Sequence, residues 1–573
     1  MFLYPKPKQV ELLEGAYLKL KQGDITISPE GLPQGSILKL DLSCTELKDE
    51  AYRLEVSQSD IKISANSPKG AKIAFQTLRQ VIANGTQEGV PCVKIFDEPR
   101  LKVRGFMLDI SRCKVPTMQT LAYLVDMLAL FKYNRLELYT EHTFAFKNHE
   151  LVWGDASPMT PQQYRILDAL CKRAGIELVP NMNSLGHMDR WLRYPEYQHL
   201  AESKAPFIDT LGNLRPYPTT LYPDKASLDF IASLYDDLLP NFTSENFNVG
   251  CDEPWELGMG RSKELCDRVG KYRVYIDYLK KLAELCKARG KHMHFWADVI
   301  IEEPELAKEL PDDVVAVLWG YYPDSPIEEE AETLHKIGRK FIIAGGTNTW
   351  NSFAIRLTAA YKNAKIVCDC AEKYGAEGVI LTNWGDNGNR QAWCAMWPAV
   401  VAFAQSAWSG DFDEGDVCTA CDKFIFQDPE GYMSKAISEL GKCDPSEKLH
   451  SLYNKLFFAS ADGVRSLMQE GAAVHFDKMF KGANKALEYL SKAKPHCPDA
   501  QVCLGELALA ADLIKWAVVR ANNDPEVKGL DLRKGLKVMK SQYEQLWLAR
   551  ARVGGLFESS SRAFENRTHN NLQ

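Results

Sequence analysis

Between residues 104 and 383 the sequence alternates eight times between a short apolar run and an amphipathic stretch of helical period, and few folds accept that pattern. The runs fall at residues 104–110, 135–140, 176–181, 246–251, 292–297, 314–319, 340–344 and 378–383. Each is short, apolar throughout and bounded by turn formers, as strands covered on both faces are. Stretches such as 118–131, 161–174, 225–239, 272–289 and 361–374 repeat apolar residues every three or four positions, as helices do. Eight such βα units in about 300 residues predict a closed parallel (β/α)8 barrel of the α/β class. A glycine-rich phosphate fingerprint is missing after the first run, which argues against a dinucleotide-binding sheet.

At 573 residues the chain exceeds one barrel. Residues 1–97 read as a small α+β domain, with alternating strands at 52–56 and 60–64 and a helix at 71–82. Asp97-Glu98-Pro99 breaks the pattern and opens the barrel domain, residues 98–410. After that the strands cease, and residues 411–573 read as a helical domain with helices at 449–469, 476–492, 501–522 and 532–556. Its tail from Phe564 is polar, and the glycosylation-type triplet Asn566-Arg567-Thr568 is given no weight.

Net charge is -7 with a pI near 6.0 and no basic run, so nucleic acid is not the expected partner and a neutral small substrate is. No apolar run approaches the roughly 18 residues of a membrane span, and the amino terminus lacks a charged region followed by an apolar core. A soluble, cytoplasmic protein with no membrane partner is the expectation. Fifteen cysteines without framework spacing fit a reducing compartment. Cys418-x-x-Cys421 and Cys368-Asp369-Cys370 each lack a second ligand pair, so neither metal nor cofactor is expected.

The fourth run stops at Asp252-Glu253-Pro254-Trp255. By itself this is equally a helix start, with acids and a proline in the first turn. The other strand ends change the reading. Asp109 and Arg112 follow the first, Glu141-His142 the second, and Asn183 and His187 the third. Trp296-Ala297-Asp298 follows the fifth, Trp319-Gly320-Tyr321-Tyr322 the sixth, Thr347-Asn348-Thr349-Trp350 the seventh and Asn383-Trp384-Gly385-Asp386 the eighth. Barrel enzymes bind substrate on that face. Any one of four tryptophans is as well placed in a core, but four at one mouth build flat apolar walls suited to a pyranose ring. Asp252 and Glu253, being adjacent on a strand, point to opposite faces and do not flank a bond as a conventional glycosidase pair does.

Several segments resemble glycoside hydrolase family 20, the β-N-acetylhexosaminidases. Arg104-Gly105-Phe106-Met107-Leu108-Asp109-Ile110-Ser111-Arg112 is similar to the family's opening barrel strand, and Asn248-Val249-Gly250-Cys251-Asp252-Glu253 to its acidic signature. Asn183-Ser184-Leu185-Gly186-His187 resembles its third-strand loop, Trp384-Gly385-Asp386 its last tryptophan-x-acid element, and Tyr52-Arg53-Leu54 with Gln76-Thr77-Leu78-Arg79-Gln80 its noncatalytic companion domain. The resemblance implies an exo-acting, retaining enzyme that removes terminal β-linked N-acetylglucosamine or N-acetylgalactosamine from oligosaccharides or glycoconjugates. The substrate's own 2-acetamido oxygen is then the nucleophile and an oxazolinium ion the intermediate. It further implies that Asp252 orients the acetamide, that Glu253 is general acid and base, and that Trp296, Trp319 and Trp384 box the sugar. Arg104 and Asp386 would bind hydroxyls, with His187, Tyr321 and Trp350 as further substrate contacts. Glu141 and His187 would form a relay to Glu253, or His187 a structural histidine.

The sequence departs from the family at the seventh-strand loop, which has Trp350 and no tyrosine, and Tyr321 is expected to substitute. Residues 182–223, with Trp191, Tyr194 and Tyr197, are long enough for a partial lid or a contact between two copies in a homodimer. Two other readings compete: a catalytically inactive sugar-binding barrel, and a metal-dependent barrel amidohydrolase. The second needs histidine ligands at strand ends, whereas His292 and His294 lie at a strand's start.

Overall fold

The computed structural model describes residues 1–208, 214–522 and 529–565. Its centre is an eight-stranded sheet in which every hydrogen-bonded pair is parallel: Val103–Asp109, Arg135–Tyr139, Glu177–Pro180, Asn246–Asn248, His292–Trp296, Val315–Trp319, Phe341–Gly346 and Gly378–Asn383. The eighth strand pairs with the first, and a bridge between Asn181 and Asn248 joins the third to the fourth, so the barrel closes. All eight apolar runs form strands. The fourth stops at Asn248, short of the expected residue 251, because Gly250 and Cys251 turn to φ +69° and +71°.

Local chemistry sets the helices. Thr160 caps Pro161–Ala174 in a reciprocal box with Gln163, and Gly175 ends it in the left-handed conformation. Thr117 caps Met118–Leu130, its side chain accepting from Thr120 N–H.

The amino-terminal domain is a five-stranded sheet with one helix, Pro68–Ile82, packed against the amino ends of the barrel strands. Buried ions make that joint. Lys132 Nζ lies 2.7 Å from Asp97, which also accepts from Tyr52 Oη at 2.7 Å and Trp408 Nε1 at 2.9 Å. Arg104 belongs to this joint and not to the barrel mouth. It pairs with Glu50 at 2.7 Å, donates to the carbonyls of Leu101 and Lys132, and lies 4.8 Å over the Trp408 ring.

The carboxyl-terminal region is helical. The expected helix 449–469 is two, Leu452–Phe458 and Ala461–Gln469, because Ser460 caps a new start. Gly529–Arg550 ends before Gly554-Gly555, and the chain then crosses the carboxyl face of the barrel. Ala551 bridges Pro116, Arg552 donates to the carbonyl of Pro158 at 2.6 Å, and both carboxylate oxygens of Glu558 accept from Arg190 Nη2, at 2.8 and 2.9 Å. Ser559 Oγ donates to Gly388 O. Among the described residues no helix is long and apolar enough to cross a membrane. The Asn566 triplet lies outside the described residues.

Candidate active site

Two glycines bring the third and fourth strand ends together. A Cβ on Gly186 would lie 2.3 Å from Asp252 O, and one on Gly250 would lie 1.8 Å from Asn183 Oδ1, so any larger residue would separate the loops. The close approach sets His187 Nε2 3.2 Å from Asp252 Oδ2 and 3.5 Å from Glu253 Oε2. His187 and Glu253 both hold positive φ, +56° and +46°, a costly conformation for residues with a side chain. Surrounding groups fix it. Asn248 Oδ1 accepts Gly250 N–H at 3.0 Å, Asp298 Oδ2 accepts Glu253 N–H at 3.1 Å, and Tyr275 and Tyr278 donate to the carbonyls of Cys251 and Ser184.

The charges are arranged around that contact. Burial alone would push the His187 imidazole down, but Asp252, assisted by Glu253, raises it to about 9, so it is a cation at neutral pH. Burial holds the Glu253 carboxyl above its ordinary value; Asp252 and Asp386 push it further, against the opposing pull of His187 and Arg112. Glu253 therefore keeps a proton to higher pH than a free glutamate while its side chain remains 35% exposed. Asp298, behind the pair, is raised to about 8 by burial and by Asp252. Among the described residues Asp252 Oδ1 is buried and accepts no hydrogen bond.

An aromatic box stands beside the two acids. Trp296 and Trp384 lie 6.0 Å apart, and Tyr139 meets Trp384 edge-on at 4.7 Å. Tyr321 stacks on Trp319 at 5.3 Å and meets Trp350 edge-on at the same distance. Trp350 is 1% exposed, so it supports Tyr321 and presents little surface of its own. Among the described residues the indole nitrogen of Trp296 is buried without a partner.

Arg112 takes the place expected for Arg104. Its guanidinium lies 4.5 Å over Tyr139 and 5.1 Å over Trp384, and pairs with Asp109 and Glu141 at 3.3 Å each. Asp109 also accepts Gly385 N–H at 2.9 Å, tying the first loop to the eighth, which carries Asp386. Asp386 is raised mainly by burial, against Arg112, and accepts from Asn351 at 3.4 Å. Glu141 is held by Arg112 and by the Tyr139 hydroxyl at 3.0 Å; no hydrogen bond joins it to His187, so the expected relay is electrostatic at most. Trp191 is buried, donating to Glu141 O at 2.8 Å, and therefore pins the third loop and does not face solvent as a lid residue would. Sequence reasoning named Asp298 without a role, although an acid directly after a barrel strand was the available signal.

His187, Asp252 and Glu253 offer ligand atoms within 4.8 Å of one another, and in this arrangement the imidazole is engaged by both carboxylates. A second group, Cys394, Cys503 and Glu506, surrounds Arg550, whose guanidinium lies 3.3 Å from Cys503 Sγ and already supplies the positive charge.

Comparison with known proteins agrees with this geometry. A family model described as "Glycosyl hydrolase family 20, catalytic domain" matches residues 102–411, and one described as "Glycosyl hydrolase family 20, domain 2" matches residues 6–98. A beta-hexosaminidase of Akkermansia muciniphila is 30% identical over 286 residues, covering 45% of this chain and 57% of that protein. Beta-hexosaminidase subunit A1 of Dictyostelium discoideum is 27% identical over 403 residues, 63% of this chain and 70% of that one. Among solved structures, a Flavobacterium johnsoniae chitobiase superposes with a TM-score of 0.63 at 18% identity, over 96% of this chain and 98% of that one. The β-N-acetylhexosaminidase of Bacteroides fragilis gives 0.62 at 20% identity, over 74% and 96%. With its companion domain, its closed barrel and its acidic pair in place, the chain belongs to glycosyl hydrolase family 20.

Proposed function

We propose that this protein is an exo-acting, retaining β-N-acetylhexosaminidase that uses the substrate's acetamido group as nucleophile. The observation that carries the reading is the adjacent pair Asp252 and Glu253, bridged by His187 at the edge of an aromatic box. Two neighbouring acids that share one histidine cannot take opposite faces of a glycosidic bond, so the second carboxylate is free for another task. Asp252 Oδ1, a buried acceptor without a partner, suits an acetamide N–H.

In the first step the acetamide oxygen attacks the anomeric carbon while the bond to the leaving oxygen breaks, and Glu253 gives that oxygen its proton. Asp252 holds the N–H and offsets the positive charge that grows on the oxazolinium ring. In the second step Glu253, now a carboxylate, takes a proton from water as the water's oxygen attacks the same carbon and the ring reopens. The side chain of Arg112 and the carboxylate of Asp386 suit the ring hydroxyls. The Tyr321 hydroxyl, close to Trp384 and Asp252, suits the acetamido oxygen.

A thiazoline that mimics the cyclised intermediate tests this. It should bind far more tightly than N-acetylglucosamine, since it resembles the transition state, and substrates with a free 2-amino group should be nearly inert. A trappable glycosyl ester on the enzyme, or a thiazoline no better than the product sugar, would overturn the mechanism.

A further inference from the structure

We propose that Glu256 is a positioning residue: its buried carboxylate holds the turn that carries Glu253 against the loop that carries His187, and so sets how closely the imidazole stands to the acid. The inference rests on Glu253 being the general acid.

Glu256 is fully buried, and among the described residues its carboxylate is held by donors of the third loop. Oε1 accepts Thr219 N–H at 2.6 Å, Thr220 N–H at 3.3 Å and Ser203 Oγ at 3.5 Å, and Oε2 accepts the hydroxyls of Thr219 and Thr220 at 2.7 and 2.5 Å. Backbone and side-chain donors on consecutive residues thus satisfy both oxygens and fix the carboxylate in one place. The same short stretch reaches His187 from both sides. Met188 N–H donates to Thr219 O at 2.8 Å, and Leu221 N–H to Leu185 O at 2.9 Å.

Glu256 is also three residues from the acid, in a run of tight turns: Trp255 N–H donates to Glu253 O at 2.7 Å, Leu257 N–H to Pro254 O at 3.0 Å and Met259 N–H to Glu256 O at 2.8 Å. Glu202 returns the tie from the third loop, accepting Gly260 N–H at 3.1 Å and Ser262 N–H at 2.9 Å. Each loop therefore grips the other with a glutamate, and the 3.5 Å between His187 Nε2 and Glu253 Oε2 is a distance inside that double grip. His187 and Glu253 both hold positive φ, so their backbones need such outside support to keep their place. His187 pulls the Glu253 carboxyl down, and slack in the tie would release the acid to titrate higher.

The alkaline limb of kcat/KM on N,N′-diacetylchitobiose reads that contact, because there the acid loses its proton. Glu256→Leu removes the anchor and should move the limb up by about 1 pH unit, the low end of what a nearby opposite charge is worth. Glu256→Gln should hold the limb in place, since the hydroxyls of Thr219 and Thr220 can turn to accept from its amide while their N–H groups still donate to its oxygen. In the His187→Asn background Glu256→Leu should add no further movement. Three results overturn the proposal. An unmoved limb in folded Glu256→Leu enzyme, however much stability is lost, would leave Glu256 a structural staple. An equal movement in Glu256→Gln would make the effect one of charge, and a full movement without His187 would place it elsewhere. If Glu256→Leu does not fold, Thr220→Val, which removes one donor, should move the limb the same way by less, and an unmoved limb there overturns the proposal equally. An alkaline limb that survives Glu253→Gln would fail differently, by removing Glu253 as the acid.

Discussion

The two ends of the barrel use the same residue types in opposite ways. At the amino end three buried cations stand against opposite charges: Arg104 with Glu50, Lys132 with Asp97, and Arg135 with Glu137 at 2.8 Å. At the carboxyl end like charges crowd together. Asp252 and Glu253 share one imidazolium with Asp298 behind them, and among the described residues Asp252 Oδ1 and Asp298 Oδ1 are buried without partners. Pairing stabilises a fold and leaves nothing for a ligand to do; unpaired buried groups cost stability and wait for one. The lesson is that the pairing of opposite charges, and not charge content, separates the scaffold end from the working end.

The largest effect should come from the acid. Glu253→Gln removes proton transfer and little else, so kcat on a disaccharide should fall about 10²- to 10⁴-fold, with KM and the unfolding midpoint close to the parent's. Steady-state kinetics beside a denaturation curve would show whether the working end can be silenced without touching the scaffold.

Next comes a direct exchange between the two ends. Arg104→Met strands Glu50 and should cost roughly 3 kcal/mol of stability while folded enzyme keeps its kcat/KM. Arg112→Met should lower kcat/KM at least ~10-fold in the enzyme that folds, because its guanidinium faces Tyr139, Trp384 and Asp386, and by stranding Asp109 and Glu141 it should lower the urea midpoint as well. If Arg104→Met damaged catalysis in the folded enzyme, the division between the ends would collapse.

A smaller and more specific effect concerns pH. His187 holds the Glu253 carboxyl down, so His187→Asn should let it rise, and the alkaline limb of kcat/KM, where the acid loses its proton, should move to higher pH on a lower plateau. A limb that stayed in place would separate His187 from the acid.

The last effect is on stability. Asp298 titrates at about 8 in the folded protein, against 3.8 ordinarily, so between those values the native state holds a proton that the unfolded chain has released. Stability therefore falls as pH rises from about 4 to 8. Asp298→Asn removes that dependence: its advantage over the parent should widen across the window and level off above pH 8, as unfolding midpoints at several pH values would record.

Much of this was legible in the sequence. Eight apolar runs became eight strands because a strand buried on both faces needs continuous apolar residues, and that signal survives without knowledge of what covers it. The acids, His187, Trp296, Trp384 and Tyr321 were found because they follow strands. Arg104 was misplaced for the same physical reason read carelessly. The strand Val103–Asp109 rises about 3.3 Å per residue, so Arg104 and Arg112, eight positions apart, sit at opposite ends of the barrel. The positive φ values of His187, Cys251 and Glu253 were illegible, since only the glycines beside them, Gly186 and Gly250, advertise a tight approach. The break at Ser460 was visible as a capping residue inside an apolar period, but periodicity outvoted it.

The last stretch of chain across the carboxyl face has a consequence in time. Thr120 Oγ1 donates to Arg550 O across 430 positions of sequence, and Arg190 finds Glu558 across 368. At about 5 to 20 residues per second, a growing chain carries all eight strands and both acids for roughly 8 to 35 s before the segment that clasps their loops has been made. The catalytic face is thus the last part of this protein to be finished, although most of its residues are among the first to be built.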